Sequence, residues 1–178
     1  MSKKVLILSS SPRKKGNSNA LCDRFMEGAV EAGHQVEKVV LAEKKINYCT
    51  ACYACQKTGR CAQKDDMASI LDSMVAADAI VMATPVYFYT MCAQMKTVID
   101  RTVARYTKIA NKDFYFIVTA ADSNKAALEP TIEGFRAFTS CLTRAKEKGI
   151  VYGAGAWEIG DILESRAMKQ AYEMGKAL

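Results

Sequence analysis

The sequence predicts an α/β protein, a doubly wound five-stranded parallel sheet with helices on both faces. Two observations carry that prediction. Short apolar runs alternate five times with longer segments whose apolar residues recur at helical spacing, which implies βα units and a parallel sheet. The run Ala79–Ala83 (AIVMA) is apolar without alternation, as a strand covered on both faces must be.

The elements follow in order. Val5–Leu8 is a first strand that stops in Ser9-Ser10-Ser11, and a small basic loop leads to a helix over Ser18–Glu31. Leu21, Cys22, Phe25, Met26, Ala29 and Val30 form its buried stripe, and Gly33 ends it. Val36–Leu41 reads as a second strand. Residues 43–65 have no periodicity but hold four cysteines, and a structureless loop of that length inside a compact domain points to function. Asp65-Asp66 can cap the next helix, whose stripe is Met67, Ile70, Leu71, Met74 and Val75. The third strand, Ala79–Ala83, leads through Thr84–Thr90 to a helix over Met91–Tyr106. Phe114–Ala120 is the fourth strand. A helix with Pro130 in its first turn is expected to run through Phe135, Phe138 and Leu142 to Gly149. Gly149–Tyr152 is the fifth strand, and a last helix covers Ile162–Lys176.

A length of 178 residues with 50 % hydrophobic content suits a single domain, 1–178, carrying the cysteine-rich insertion at about 43–65. The apolar runs are of strand length, so no membrane span is expected. Only four apolar residues follow Lys3-Lys4, too few for a secretory signal, and the expected location is cytoplasmic, where thiols stay reduced. The net charge of +6 is concentrated in part at Arg13, Lys14 and Lys15, which suits a small anionic ligand. No long basic helix or aromatic–basic ladder points to nucleic acid. The one histidine, His34, reads as an exposed loop residue, and nothing near it resembles a hydrolase nucleophile site.

Ligands of parallel sheets bind beyond the carboxyl ends of the strands. Three loops should meet there: Ser9–Asn19, Pro85–Thr90 and Ala120–Asn124. The first offers a helix N-terminus with unpaired backbone N–H groups, several hydroxyls and the Arg13 fork, which together suit a phosphate. It lacks both the P-loop and the G-x-G-x-x-G pattern. The second offers three aromatics suited to lie beside a flat ring. One phosphate and one planar heterocycle describe FMN. An ordinary capped strand–helix turn, with aromatics serving the core or a subunit contact, would use the same residues.

The segments SSSPRKKGNSNAL and TPVYFYTMCAQMK, with the cysteine loop, resemble the flavodoxin-like NAD(P)H-dependent FMN reductase family, and within it the iron–sulfur flavoprotein branch. The resemblance implies a flavodoxin-like sheet of order 2-1-3-4-5, noncovalent FMN and reduction by NADH or NADPH. It also implies a homodimer or homotetramer with the flavin near a subunit boundary, and a small-molecule acceptor such as a quinone or free flavin. Ser9, Ser11, Arg13, Asn17, Ser18 and Asn19 match the family's phosphate loop. Pro85, Val86, Tyr87 and Phe88 match the segment along the flavin ring, and Ala120, Ala121 and Asp122 correspond by position. The flavin carries the chemistry, so no catalytic acid or base is expected. The alternative is a flavodoxin-like electron carrier or FMN-binding module without turnover of its own. The tail motif around Gly155, Trp157, Glu158, Gly160, Asp161 and Ile162 is similar to that of relatives but carries no assigned chemistry.

Cys49, Cys52, Cys55 and Cys61 form C-x2-C-x2-C-x5-C. The run resembles that of bacterial ferredoxins with a longer last gap, and matches the iron–sulfur flavoproteins in spacing. A [4Fe–4S] cluster, a zinc site with four thiolate ligands, and free thiols all fit these cysteines. Cys22, Cys92 and Cys141 fall on expected helices as packing residues.

Overall fold

Five parallel strands form the main sheet of the computed structural model, which describes residues 1–178. They are β1 (Lys4–Ser9), β2 (Gln35–Val40), β3 (Ala79–Tyr87), β4 (Asp113–Thr119) and β5 (Lys146–Gly153), in the order 2-1-3-4-5. Six α-helices accompany them: α1 (Asn17–Glu31), α2 (Ala54–Thr58), α3 (Met67–Ala76), α4 (Ala93–Arg101), α5 (Glu129–Ser140) and α6 (Arg166–Lys176).

Alternation along the strands divides the core in two. Leu6, Leu8, Ile80, Met82, Phe114, Phe116 and Val118 face one layer with α3, α4 and α5. Val5, Ile7, Ala79, Val81, Ala83, Tyr115 and Ile117 face the other, with α1 and α6. Phe116 stacks on Phe135 of α5 at 5.0 Å between centroids, and Phe25 of α1 meets the Tyr115 ring edge-on at 5.4 Å. On the second face α1 and α6 cross backbone to backbone. A Cβ on Gly28 would stand 2.1 Å from the Tyr172 carbonyl oxygen, and one on Gly175 would stand 2.0 Å from that of Phe25.

The structure departs from the sequence reading at several boundaries. A sixth, two-residue strand, Thr90–Met91, pairs antiparallel with Val86 and Tyr87. Phe88 and Tyr89 make its turn at φ 49° and 64°, the left-handed pair that a tight hairpin demands and that bulky residues rarely adopt. The helix expected over Met91–Tyr106 is α4 followed by two 3₁₀ turns. The helix expected to reach Gly149 stops at Ser140. Arg144 turns the chain at φ 55°, and β5 begins at Lys146, before the apolar residues that announced it. The last helix starts at Arg166 rather than Ile162. Cys141 lies exposed just past α5 instead of packing, whereas Cys22 and Cys92 are buried. His34 is half-buried, its Nδ1 accepting the Lys3 N–H at 3.1 Å. No helix is long and apolar enough to cross a membrane.

Candidate functional site

The carboxyl ends of β1, β3 and β4 bring the three loops together around a cavity of about 90 Å³. Its floor is the N-terminus of α1. Ala20 makes the first i→i−4 bond, to the Gly16 carbonyl at 3.1 Å, so the N–H groups of Asn17, Ser18 and Asn19 have no acceptor within the helix. The N-cap, Gly16, supplies no side-chain cap, and the first turn carries no acid. A Cβ on Gly16 would lie 2.6 Å from Ser11 Oγ and 3.0 Å from the Arg13 carbonyl oxygen, so the loop closes tightly over this glycine. The Ser18 and Thr119 hydroxyls pair at 2.6 Å, and whichever donates leaves the other O–H free to point at a ligand. A helix N-terminus with buried hydroxyls, a free fork and no carboxylate fits an anion.

The predicted phosphate-loop residues divide into two groups. Ser11, Arg13, Asn17 and Ser18 line the cavity. Ser9 and Asn19 do not; they build the loop. Ser9 Oγ donates to Asn19 Oδ1 at 2.6 Å, and Asn19 Nδ2 donates to the Arg13 and Lys14 carbonyls at 2.9 and 3.2 Å. The Asn17 side chain is also committed, donating to the Glu158 carbonyl at 2.8 Å and accepting the Gly160 N–H at 3.1 Å. Its backbone N–H and the second amide N–H are left for a ligand.

Pro85, Val86, Tyr87, Ala120 and Ala121 complete the predicted lining. Phe88 and Asp122 are not part of it. Phe88 stands 99 % exposed at the hairpin tip, and Asp122 caps its own turn by accepting the Asn124 N–H at 2.7 Å. Sequence reasoning missed Gly16, Thr119, Ala156 and Trp157, which also line the cavity. The last two belong to the tail motif, whose role the structure supplies. Asp161 Oδ2 accepts the Trp157 and Glu158 N–H groups, curling the tail into a strap, and Arg13 Nη1 donates to the Trp157 carbonyl at 2.8 Å.

The four motif cysteines line a second cavity, of about 360 Å³, between the loop and the end of α4. Ala51 and Tyr53 take left-handed φ of 51° and 57°, Cys55 sits on α2, and Gly59 ends that helix at φ 66°. Hydrogen bonding from the Ala54 N–H, and next from Thr50, pulls the Cys52 thiol below its ordinary pKa and favours the thiolate that a metal requires. No three His, Cys, Asp or Glu side chains are gathered at spacing suited to a single metal ion. Burial pushes the Cys22 thiol up to about 12, which marks it as packing.

Arg101, at the end of α4, closes the base of this loop. Its side chain is 1 % exposed. Nη1 donates to the Asn47 carbonyl at 2.6 Å and to Asp65 Oδ2 at 2.8 Å, and Nη2 donates to Asp65 Oδ1 at 2.9 Å. Asp65 also accepts the Asn47 and Met67 N–H groups. One guanidinium thus ties together the chain before Cys49 and the chain after Cys61.

Comparison with known proteins places these features. The family described as NADPH-dependent FMN reductase matches residues 3–140. An iron-sulfur flavoprotein of Archaeoglobus fulgidus is 43 % identical over 98 residues, covering 55 % of this chain and 44 % of that protein. Another from the same organism is 37 % identical over 127 residues, covering 70 % and 62 %. The chain therefore spans about half the length of the curated relatives it matches. Among solved structures, the NAD(P)H:quinone oxidoreductase from Methanothermobacter marburgensis superimposes with a TM-score of 0.75 at 19 % identity, over 99 % of this chain and 96 % of that one. An FMN-dependent NADH-azoreductase from Bacillus anthracis, solved with FMN, gives 0.76 at 17 % identity over 98 % of each chain. At these identities the two structures establish the fold.

Proposed function

Since the chain belongs to the NADPH-dependent FMN reductase family, we propose that it is an FMN-dependent oxidoreductase that takes electrons from NADH or NADPH and passes them to a small acceptor. The observation that carries this reading is the uncapped, acid-free N-terminus of α1 opening into a cavity walled by Pro85, Val86 and Tyr87. Bound there, FMN would supply the redox chemistry, accepting electrons in pairs and releasing them singly or in pairs. The α1 N–H groups, Ser11, the Ser18–Thr119 pair and Arg13 would hold its phosphate. The Pro85–Tyr87 segment would set the plane of the ring. No carboxylate or imidazole lines the cavity, and the lining residues would act by positioning the ring and by excluding water.

Several exposed apolar side chains lie in the two segments that contribute to the cavity wall: Phe88 and Tyr89 after Tyr87, and Trp157, Ile159 and Leu163 in the tail. They support assembly into a homodimer or homotetramer in which a neighbouring copy covers the ring. A cytoplasmic setting suits the free thiols. Because structural neighbours include a quinone oxidoreductase and an azoreductase, quinones, azo compounds and free flavin are the first acceptors to assay.

Arg13 is exposed and donates only to a carbonyl. Arg13→Ala should therefore weaken FMN binding about tenfold, the low end for a charge-assisted bond, while Tm stays nearly constant. Equal losses of affinity and stability would make the loop merely structural. Steady-state oxidation of NADH or NADPH with a quinone or dye acceptor tests turnover, and its absence in flavin-loaded protein would favour an electron carrier.

The donor set of the second cavity fits a cluster, and we assign Cys49, Cys52, Cys55 and Cys61 as ligands of a [4Fe–4S] centre that would pass the flavin's electrons on one at a time. Protein purified without exposure to air should carry about four iron and four sulfide per chain. Stoichiometric zinc, or metal-free thiols, in such protein would exclude the cluster.

A further inference from the structure

Arg101 carries one donor more than the loop clamp consumes. Its two Nη groups are satisfied by Asp65 and Asn47, but Nε is buried without a hydrogen-bond partner, the one buried side-chain nitrogen or oxygen so placed in the protein. A buried, unpaired donor on a cation costs about 1–3 kcal/mol and calls for an acceptor. The surroundings restrict what that acceptor is. Arg101 lines the same cavity as the four motif thiols, and the Cys61 sulfur lies within reach of its guanidinium. Asp65, already paired, lies outside the cavity lining, and the one carboxylate along it is Asp100, which is held by Lys96 at 2.6 Å. Thr50, Gln56, Gln63 and backbone carbonyls along the cavity are neutral acceptors, and a thiolate or sulfide is the one anionic acceptor left for the donor of a buried cation.

We propose that Arg101 is a positioning and tuning residue for the sulfur ligands of this cavity, its Nε–H donating to the Cys61 thiolate or to a sulfide beside it. The inference rests on the cluster reading above and adds to it the group that sets the centre's potential. Hydrogen bonds and positive charge at cluster sulfurs stabilise the reduced, more negative state and raise the potential. Asp65 fits this role. Its two-point pairing leaves the guanidinium plane one orientation, so Nε cannot turn away. Lys at this position would keep the charge, but its donors sit on one rotatable nitrogen at the chain end, so pairing with Asp65 would hold none of them at the Nε position.

The test is an EPR-monitored redox titration of anaerobically purified protein, with iron and sulfide measured in each sample. Two variants are compared with the parent. Arg101→Lys keeps the charge and loses the donor. Arg101→Met combined with Asp65→Asn removes both charges together, so no unpaired ion is left buried and the local net charge is unchanged. The expected result is a downward shift of midpoint potential in both. In the double variant the reduced fraction at fixed potential falls about tenfold, 59 mV for one electron. If both variants hold full iron and titrate where the parent does, Arg101 is only a loop clamp and the proposal is wrong. If one variant takes up no iron, the other decides by the same criterion. A parent without iron or sulfide overturns the cluster reading itself, and this proposal with it, and that outcome is separate from an unshifted potential.

Discussion

Replacing Arg101 alone with Met is expected to lower the unfolding free energy by about 3–5 kcal/mol, because it strands the Asp65 carboxylate in a site where the side chain is 1 % exposed. Converting Asp65 to Asn in the same chain should recover much of that loss, since a neutral pair owes no desolvation. Urea unfolding of the parent, the single variant and the double variant measures the coupling directly. The pH dependence follows from the same contact. The Arg101 hydrogen bonds hold the Asp65 carboxyl below its ordinary value of 3.8. A carboxylate depressed on folding stabilises fully above the unfolded value and loses that contribution as pH falls through the folded one. Parent and double variant should therefore differ most near neutrality and converge below about pH 4. A single variant as stable as the parent would show that water reaches Asp65.

The second large effect lies where α1 crosses α6. Gly→Ala in an exposed helix stabilises by about 0.5–1 kcal/mol. At Gly175 the sign reverses, because the added Cβ would meet the Phe25 carbonyl oxygen at 2.0 Å and backbone cannot rotate aside. Gly175→Ala should cost about 3 kcal/mol, near the top of the usual overpacking range, and lower Tm by roughly 6–12 °C. FMN affinity should fall with it, since α1 carries the cradle at its other end. Gly28→Ala should behave in the same way, with its Cβ at 2.1 Å from the Tyr172 carbonyl oxygen. A rise in Tm for either would mean that the helices part at little cost.

The parallel sheet, its two covered faces and the meeting of three loops could be read from the sequence because each rests on local pattern: buried runs, helical stripes and hydroxyls where β1 ends; the strand order came only with the family resemblance. The α1–α6 crossing could not be read. Gly28 and Gly175 look like weak points of two helices until their registers are known, and only tertiary structure sets those. The division of labour in the first loop was hidden for a similar reason. Ser9, Asn17 and Asn19 are chemically suited to an anion, but their side chains are held by neighbours, two of them the carbonyl of Glu158 and the N–H of Gly160. The hairpin at Phe88–Tyr89 escaped notice because neither residue favours a left-handed turn. Trp157 was singled out by its motif and left without a task, since a strap has no periodicity to read. Arg101 gave no signal at all: a basic residue closing a helix is the commonest arrangement there is.

That strap also sets the order in which the molecule matures. The Ser9–Asn19 loop leaves the ribosome long before its last wall, Ala156 and Trp157, and the Glu158 and Gly160 backbone that Asn17 grips, about 140 positions later. At about 5–20 residues per second, a nascent chain spends roughly 7–30 seconds with its anion cradle roofless. If FMN binds here as proposed, its tight capture has to wait until the strap has been made. The same contact lets the protein report its own folding, because firm retention of the cofactor requires that two segments so far apart in the chain have found each other.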